Sequence, residues 1–429
     1  MKKLSQPVIR NVGFVSTRLA GTDGVSLETA KWAEVLEEDR FNCFYLAGEL
    51  DRPESRSYRV PEAHFTHPEV RDIHEKVFGA CVRDRAVTTR IHALKEGLKD
   101  HIYRFLEQFD IELLIVENAL TIPINIPLGL ALTEVIAETG LPTVAHHHDF
   151  YWERDRFMVN AVADYLSMAF PPDLPSIRHV VINSFADAQL SLRTGISATV
   201  VPNVMDFDNP PPPPDDYTAG VRRDLGVADG ELLVLQPTRV VQRKGIEHAI
   251  ELVHRLGAAA KLVISHASGD EGHDYEKRLQ EYSRMLGVET RFVSEIIREE
   301  RGETEDGRRI YTLEDIYPFA DLVTYPSTFE GFGNAFLEAI YYRKPVVVNR
   351  YSIYAKDIKP RGFEVIEIDG YVTDAAVEQT RRVLSDEPLR RRMVDHNYEL
   401  GRRYFSYRVL QRSLDQFMAT HQWVHQAVF

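Results

Sequence analysis

The residues best suited to chemistry lie in Glu330-Gly331-Phe332-Gly333-Asn334-Ala335-Phe336-Leu337-Glu338. The two glycines let a ligand approach the backbone, and the amides and dipole at a helix start favour an anion there, so a phosphate fits that place. Glu330 falls in a loop before the expected helix and Glu338 inside it. The two carboxylates can therefore address different parts of one elongated ligand, neither of them touching the phosphate. Arg239 and Lys244, in Pro237-Thr238-Arg239-Val240-Val241-Gln242-Arg243-Lys244-Gly245, add cations able to neutralise a diphosphate leaving group. Either cation alone would read as a solvated surface charge.

A second concentration of polar chemistry is His146-His147-His148-Asp149-Phe150-Tyr151-Trp152. In an extended chain, alternation sends His146 and His148 to one side and His147 to the other. Such a run can be a metal cluster, a set of core histidines or a ligand contact. No second compact Cys/His/Asp group accompanies it, which disfavours a metal, while a ligand from elsewhere in the chain stays open. Glu153-Arg154-Asp155-Arg156 follows directly. Arg154 and Arg156 can hold an acceptor carboxylate or phosphate through charge-assisted bonds, or simply solvate a helix start. Asp206 and Asp208 form an Asp-x-Asp, but it sits beside a proline run, away from either expected phosphate site, and is not read as a metal site.

These segments need elements to carry them. Short β-branched apolar runs at Asn11 to Val15, Leu113 to Val116, Thr143 to Ala145, His179 to Ile182 and Thr199 to Val201 read as buried strands. A second set follows at Leu232 to Leu235, Lys261 to Ile264, Arg291 to Val293, Leu322 to Tyr325 and Pro345 to Val348. Helical patterns fall between them, notably Leu27 to Glu37, Gly245 to Arg255 and Asn334 to Arg343. The alternation predicts an α/β chain with two doubly wound, Rossmann-like domains whose strand ends face a central cleft. Pro210 to Pro214 interrupts the rhythm, since five prolines cannot join a sheet ladder. The expected division is residues 1–205, a linker at 206–217 that serves as the hinge, and residues 218–429 with a polar, Arg-rich helical end from Asp374.

Bulk properties narrow the partners. A chain of 429 residues with 44% hydrophobic content has material for two cores. A net charge of −14 argues against a general nucleic-acid binder. Two cysteines, Cys43 and Cys81, are too few for a disulfide framework and point to a reducing cytoplasm. The start, Met1 to Ser5, leads into no apolar run, and no stretch approaches transmembrane length.

The Arg239/Lys244 pair, the Glu330 to Glu338 spacing and the two-sheet layout together resemble the retaining glycosyltransferases of family four, which have the GT-B fold. The resemblance spans nearly the whole chain. It implies transfer of a hexose from a nucleoside diphosphate sugar, GDP-mannose or UDP-glucose, to a hydroxyl of a small soluble acceptor. It also implies that Arg239 and Lys244 contact the donor diphosphate, Glu330 the sugar hydroxyls and Glu338 the ribose. Backbone amides from Phe332 through Gly333 and Asn334 to Ala335 would meet the phosphate and hexose. Gly24, in Gly21-Thr22-Asp23-Gly24-Val25-Ser26, would lie beside the donor phosphates. A histidine at the strand end contacts the transferred sugar in this family, which selects His148 first and His146 second, the latter also suited to the acceptor. Cations and a helix dipole stand in for a metal, so no divalent ion is expected at the donor site and no further cofactor is needed.

This chain departs from the family at Pro202-Asn203-Val204-Met205-Asp206, where a glycine is commonly found after the asparagine; this puts the local turn and any role of Asn203 in question. Segments Ser265 to Gly272 and Phe292 to Ile297 should flank the donor base. The histidine run with its charged continuation resembles transferases that build compatible-solute glycosides of glycerate, with sucrose-phosphate synthase-like chemistry on a sugar phosphate as the rival. Two other readings share the architecture: a sugar-nucleotide epimerase, which needs no acceptor, and a non-catalytic sugar-nucleotide-binding subunit.

Overall fold

The computed structural model describes residues 9–21, 23–267 and 272–424. Met1 to Ser5, Thr22 of the glycine-bearing turn and residues 268–271 of the expected base-flanking segment lie outside them. The chain forms two compact units, Met1–Asn203 with Arg408–Phe429, and Val204–Tyr407.

The first unit is built on seven strands: β1 (Asn11–Val15), β2 (Asn42–Ala47), β3 (Ser57–Arg59), β4 (Leu113–Glu117), β5 (Thr143–His147), β6 (Ile177–Val181) and β7 (Ala198–Val200). They form one sheet in the order β3-β2-β1-β4-β5-β6-β7. Every pairing in it is parallel. Central β4 and β5 are buried along their whole length, because helices cover a parallel sheet on both faces. The helix Ile126–Thr139 is apolar nearly all round and correspondingly buried; Asn125 caps it by accepting from the Leu128 amide at 3.0 Å. Leu114, Val116, Leu128, Leu132 and Ile136 belong to one core that also takes in Ile102 and Phe105 of the helix Arg85–Gln108.

The second unit carries β8 (Leu232–Gln236), β9 (Ala260–Ile264), β10 (Glu289–Phe292), the hairpin β11 (Gly302–Glu303) and β12 (Arg309–Ile310), then β13 (Leu322–Tyr325), β14 (Val346–Asn349) and β15 (Ile366–Ile368). Six of these form a sheet in the order β10-β9-β8-β13-β14-β15, again all parallel. The helix Ile246–Leu256 turns Ile246, Ala249, Ile250, Val253 and Leu256 inward against Leu262, Ile264 and Leu322, the spacing expected of one buried helical face. Both units are thus Rossmann-like α/β layers.

Two features differ from the sequence reading. The proline run, read as a linker and hinge between the domains, falls within the second unit, which bonds to it on both sides. The Phe207 carbonyl accepts from Tyr398 Oη and the Asn209 carbonyl from Tyr341 Oη, both at 2.9 Å. Beyond the prolines, Asp215 pairs with Arg301 at 2.7 Å, and Tyr217 Oη donates to the carbonyls of Gly302 and Ile310 at 2.9 and 2.8 Å. Prolines leave their neighbours' carbonyls without ladder partners, and tyrosine hydroxyls meet part of that need. The second difference is the last helix, Tyr407–Val424, which belongs to the first unit from Arg408 onward and not to residues 218–429 as read. Its polar, Arg-rich pattern specifies a helix without specifying which core receives its apolar side.

Candidate active site

In the second unit the loop after β8 and the loop after β13 are brought together by close backbone packing. Gln236 donates to Thr238 Oγ1 and accepts from Thr324 Oγ1, both at 2.7 Å, which fixes the strand ends side by side. Gln242–Lys244 forms a single helical turn that ends at Gly245 with φ +58°. A Cβ there would lie 2.5 Å from the Pro326 carbonyl oxygen, so glycine is what lets the two loops touch. The Thr328 amide then donates to the Arg243 carbonyl at 2.8 Å.

That approach places Lys244 Nζ against Glu330 Oε1, with both residues 8% exposed. Arg243 Nη1 lies 3.3 Å from the other carboxylate oxygen, and the Tyr325 ring lies beneath the Lys244 ammonium at 5.7 Å. Burial and the neighbouring Arg243 depress the Lys244 pKa against the pull of Glu330. Burial works to raise that of Glu330, but the Lys244 and Arg243 cations outweigh it and hold the carboxyl below its usual range. Arg239 is exposed and forms no ion pair among the described residues. It lies near His266, whose pKa is lowered by burial and then by repulsion from Arg239 and Lys244.

The helix Asn334–Tyr341 opens from Gly333 at φ +133°, a residue that offers the first-turn amides no side-chain acceptor. A Cβ on Gly333 would sit 2.5 Å from Tyr351 Oη, which donates to the Phe332 carbonyl at 2.7 Å. The Phe332 ring is buried against Phe405, so only its backbone can meet a ligand. Asn334 and Ala335 are half-buried at the helix start. Glu338, on the same helix, accepts from Tyr317 Oη at 2.8 Å. Lys244, Glu330 and the helix opening therefore gather round one place. Sequence reasoning missed Arg243, Tyr325, Tyr351 and Tyr317, of which only Arg243 carried a signal, as a second cation in the same short loop; His266 falls in the segment Ser265 to Gly272 expected to flank the donor base.

The first unit handles its glycine-bearing turn differently. Asp23 caps the helix Gly24–Glu38, its carboxylate accepting from the Val25 and Ser26 amides at 3.1 and 3.2 Å. Arg18 pairs with that carboxylate at 3.0 Å. The amides following Gly24 are thus occupied by the chain's own anion, which leaves less for a donor phosphate than the sequence suggests.

At the carboxyl ends of β4 and β5, Glu117 lies opposite His146 in the parallel register. One oxygen of Glu117 lies 2.9 Å from His146 Nδ1 and 2.9 Å from His148 Nε2. His147 points to the other face, its Nε2 2.9 Å from His179 Nδ1. Burial favours the neutral form of Glu117, yet the two imidazoles outweigh it and hold its pKa at about 2. Asn118, in the left-handed region at φ 57°, accepts from the His148 amide at 2.9 Å and donates to Asp149 at 3.1 Å. Its short polar side chain tolerates that conformation, and the turn ties the two strand ends together. Trp32 stacks on His146 with ring centres 4.3 Å apart. His146, only 1% exposed, is enclosed; it does not present itself to an acceptor. Arg154 is paired with Asp149, its Nε 2.6 Å from Oδ2, whereas the exposed Arg156 lies over the Phe157 ring at 4.6 Å. Ligand atoms of Glu117, His146 and His148 lie within 4.8 Å of one another, a spacing that can hold a metal ion.

Two parallel-sheet units, one carrying a buried Lys–Glu pair at a glycine-started helix, define a glycosyltransferase of the GT-B fold. Residues 220–400 match the family described as glycosyl transferases group 1, and the chain belongs to that family. It is 33% identical over 381 residues to the mannosylglucosylglycerate synthase of Petrotoga mobilis, covering 83% of this chain and 86% of that one. To the mannosylglucosylglycerate synthase of Thermotoga maritima it is 32% identical over 427 residues, covering 92% and 96%. A glycosyltransferase structure from Rickettsia africae superposes with a TM-score of 0.68 at 12% identity, over 96% of this chain and 98% of that one. No helix among the described residues is long and apolar enough to cross a membrane.

Proposed function

We propose that the protein is a retaining hexosyltransferase that moves mannose from GDP-mannose to a hydroxyl of a glucosylglycerate-like acceptor. The observation that carries donor chemistry is the buried Lys244–Glu330 pair beside the opening of the helix Asn334–Tyr341. A cation and a carboxylate fixed side by side suit a diphosphate next to a sugar: the ammonium meets phosphate oxygens and the carboxylate accepts from sugar hydroxyls. Helix amides add favourable potential for the phosphate, and Arg239, exposed on the same loop, can close on it. The acceptor class and the mannosyl donor are supported by the two relatives named mannosylglucosylglycerate synthase, which align along most of their length.

In this reading the diphosphate oxygen that leaves the anomeric carbon accepts the proton of the incoming hydroxyl on the same face. Lys244 and Arg239 stabilise the charge that builds on the diphosphate. The test is incubation of purified protein with GDP-mannose and glucosylglycerate, with NMR of the product. An α-mannoside formed from the α-linked donor supports the reading. A β-product overturns retention; transfer only from UDP-glucose, or only to a sugar phosphate, overturns the substrate assignment. Conversion of the donor alone into another sugar nucleotide would make the protein an epimerase.

A further inference from the structure

We propose that Glu117, His146 and His148 form a binding site in the first unit for a divalent transition-metal ion of the zinc type. This does not depend on the donor chemistry of the second unit. Three observations carry it. The first is convergence: β4 and β5 are in parallel register with Glu117 opposite His146, and period-two alternation brings His148 to the same face. Both imidazoles consequently bring a nitrogen close to one carboxylate, each 2.9 Å from Glu117 Oε2.

The second is that hydrogen bonding within the protein leaves the cluster incomplete. His148 Nε2 makes a good hydrogen bond to Glu117. His146 Nε2 and Glu117 Oε1, both buried, have no hydrogen-bond partner, and His146 Nδ1, although 2.9 Å from Glu117 Oε2, is not aligned for a hydrogen bond. The Glu117 side chain is fully enclosed and that of His146 is 1% exposed, so bulk water does not serve them. Buried polar groups in native structures are ordinarily paired, and a cation coordinated by His146 Nδ1, His148 Nε2 and a Glu117 carboxylate oxygen gives a partner to His146 Nδ1 and, where Glu117 binds through Oε1, to that oxygen as well.

The third is the character and support of the donor set. Two imidazoles and one carboxylate suit zinc or cobalt(II), whereas magnesium and calcium prefer oxygen alone. Ser16 Oγ donates to the Glu117 carbonyl at 2.9 Å, Asn118 holds the His148 amide, and Trp32 packs flat on His146, so each ligand is braced. Glu28, fully buried on the helix Gly24–Glu38, lies close enough to act electrostatically on both histidines and adds negative charge. Three protein ligands leave a coordination position for water or a substrate oxygen.

The experiment is metal binding by the full chain, independent of any activity. Purified protein is stripped with a chelator and titrated with Zn²⁺ and Co²⁺, with metal content measured by elemental analysis and Co²⁺ ligation by visible absorption. One equivalent per chain is expected, with the absorption of a low-symmetry Co²⁺ site and a rise in Tm on Zn²⁺ addition. His146→Gln and His148→Gln should each weaken binding by at least the roughly hundredfold that loss of an outer-shell partner can cost, while His273→Gln, on an exposed side chain, should not. His148→Gln decides the matter if His146→Gln fails to fold, because His148 lies at the edge of the cluster. Absence of stoichiometric Zn²⁺ or Co²⁺ binding overturns the proposal. So does wild-type affinity in His148→Gln.

Discussion

Lys244 Nζ and Glu330 Oε1 meet in an ion pair almost closed to solvent, with Arg243 on the far side of the same carboxylate at 3.3 Å. The arrangement is asymmetric. Removing Lys244 leaves Glu330 with one cation, whereas neutralising Glu330 leaves a buried ammonium and a guanidinium facing each other. Breaking a buried pair costs about 3–5 kcal/mol when the orphaned charge has no substitute. Glu330→Gln is therefore expected near that range in urea unfolding, and Lys244→Ala well below it. Turnover should show the reverse emphasis for Lys244→Ala: a loss of about a hundredfold or more with the fold retained. Activity within a few-fold of wild type would refute the role given to Lys244.

Gly333 is constrained twice, by φ +133° and by the Tyr351 hydroxyl 2.5 Å from where a Cβ would stand. Gly333→Ala should cost about 1–3 kcal/mol from backbone strain, in addition to disturbing the Tyr351 to Phe332 hydrogen bond. Tyr351→Phe in the same chain should relieve the contact but not the strain. Urea denaturation of the two single variants and the double variant separates these parts; full recovery in the double variant would show that the backbone angle carries no cost.

Arg156 forms no ion pair among the described residues, unlike Arg154, whose guanidinium is engaged by Asp149. For an acceptor carrying a carboxylate, Arg156→Ala should raise the acceptor KM about tenfold or more, the worth of one charge-assisted bond. The donor KM should stay put. Equal changes in both constants would remove Arg156 from the acceptor site.

His179 is buried, and that burial lowers its pKa to about 4. Its folded-state pKa lies below the unfolded value near 6.5, so the unfolded chain takes the proton first. Stability from this residue is present above pH 6.5 and is lost as pH falls toward 4, by up to about 3 kcal/mol. His179→Gln cannot titrate, and its stability should fall less steeply across that window. Parallel pH profiles for the two proteins would refute the assignment.

Chelation discriminates between the two units. The donor diphosphate is assigned to cations and helix amides, so the rise in Tm on adding GDP-mannose should persist in excess EDTA. Its disappearance would place a metal in donor binding.

Much of this was legible in the sequence, for physical reasons that can be named. Strands such as Asn11–Val15 and Leu322–Tyr325 are short apolar runs with few alternatives. The division of the three histidines between two faces follows from the period of an extended chain. By contrast, β3 and β15 have only three residues each, too few to display a period, and β2 begins with the polar Asn42. Glu117 lies one residue beyond the apolar run Leu113 to Val116 and drew no reading; its importance depends on pairing with a strand that starts 26 residues later. Tyr317, Tyr325 and Tyr351 are buried aromatics whose hydroxyls or ring faces serve the site, and composition does not separate those from core packing. The last helix was recognised as a helix but assigned to the wrong core, because its amphipathic pattern carries no address.

That helix changes the order in which the molecule can be completed. Residues 204–407 are inserted between two segments of the first unit, and Leu410 and Leu414 of the returning helix are buried. During synthesis the 203 residues that begin the first unit leave the ribosome early, yet their closing piece is made last, after the whole second unit. A stop codon just after Tyr407 would therefore leave the residues of the second unit intact and injure the half of the protein made first.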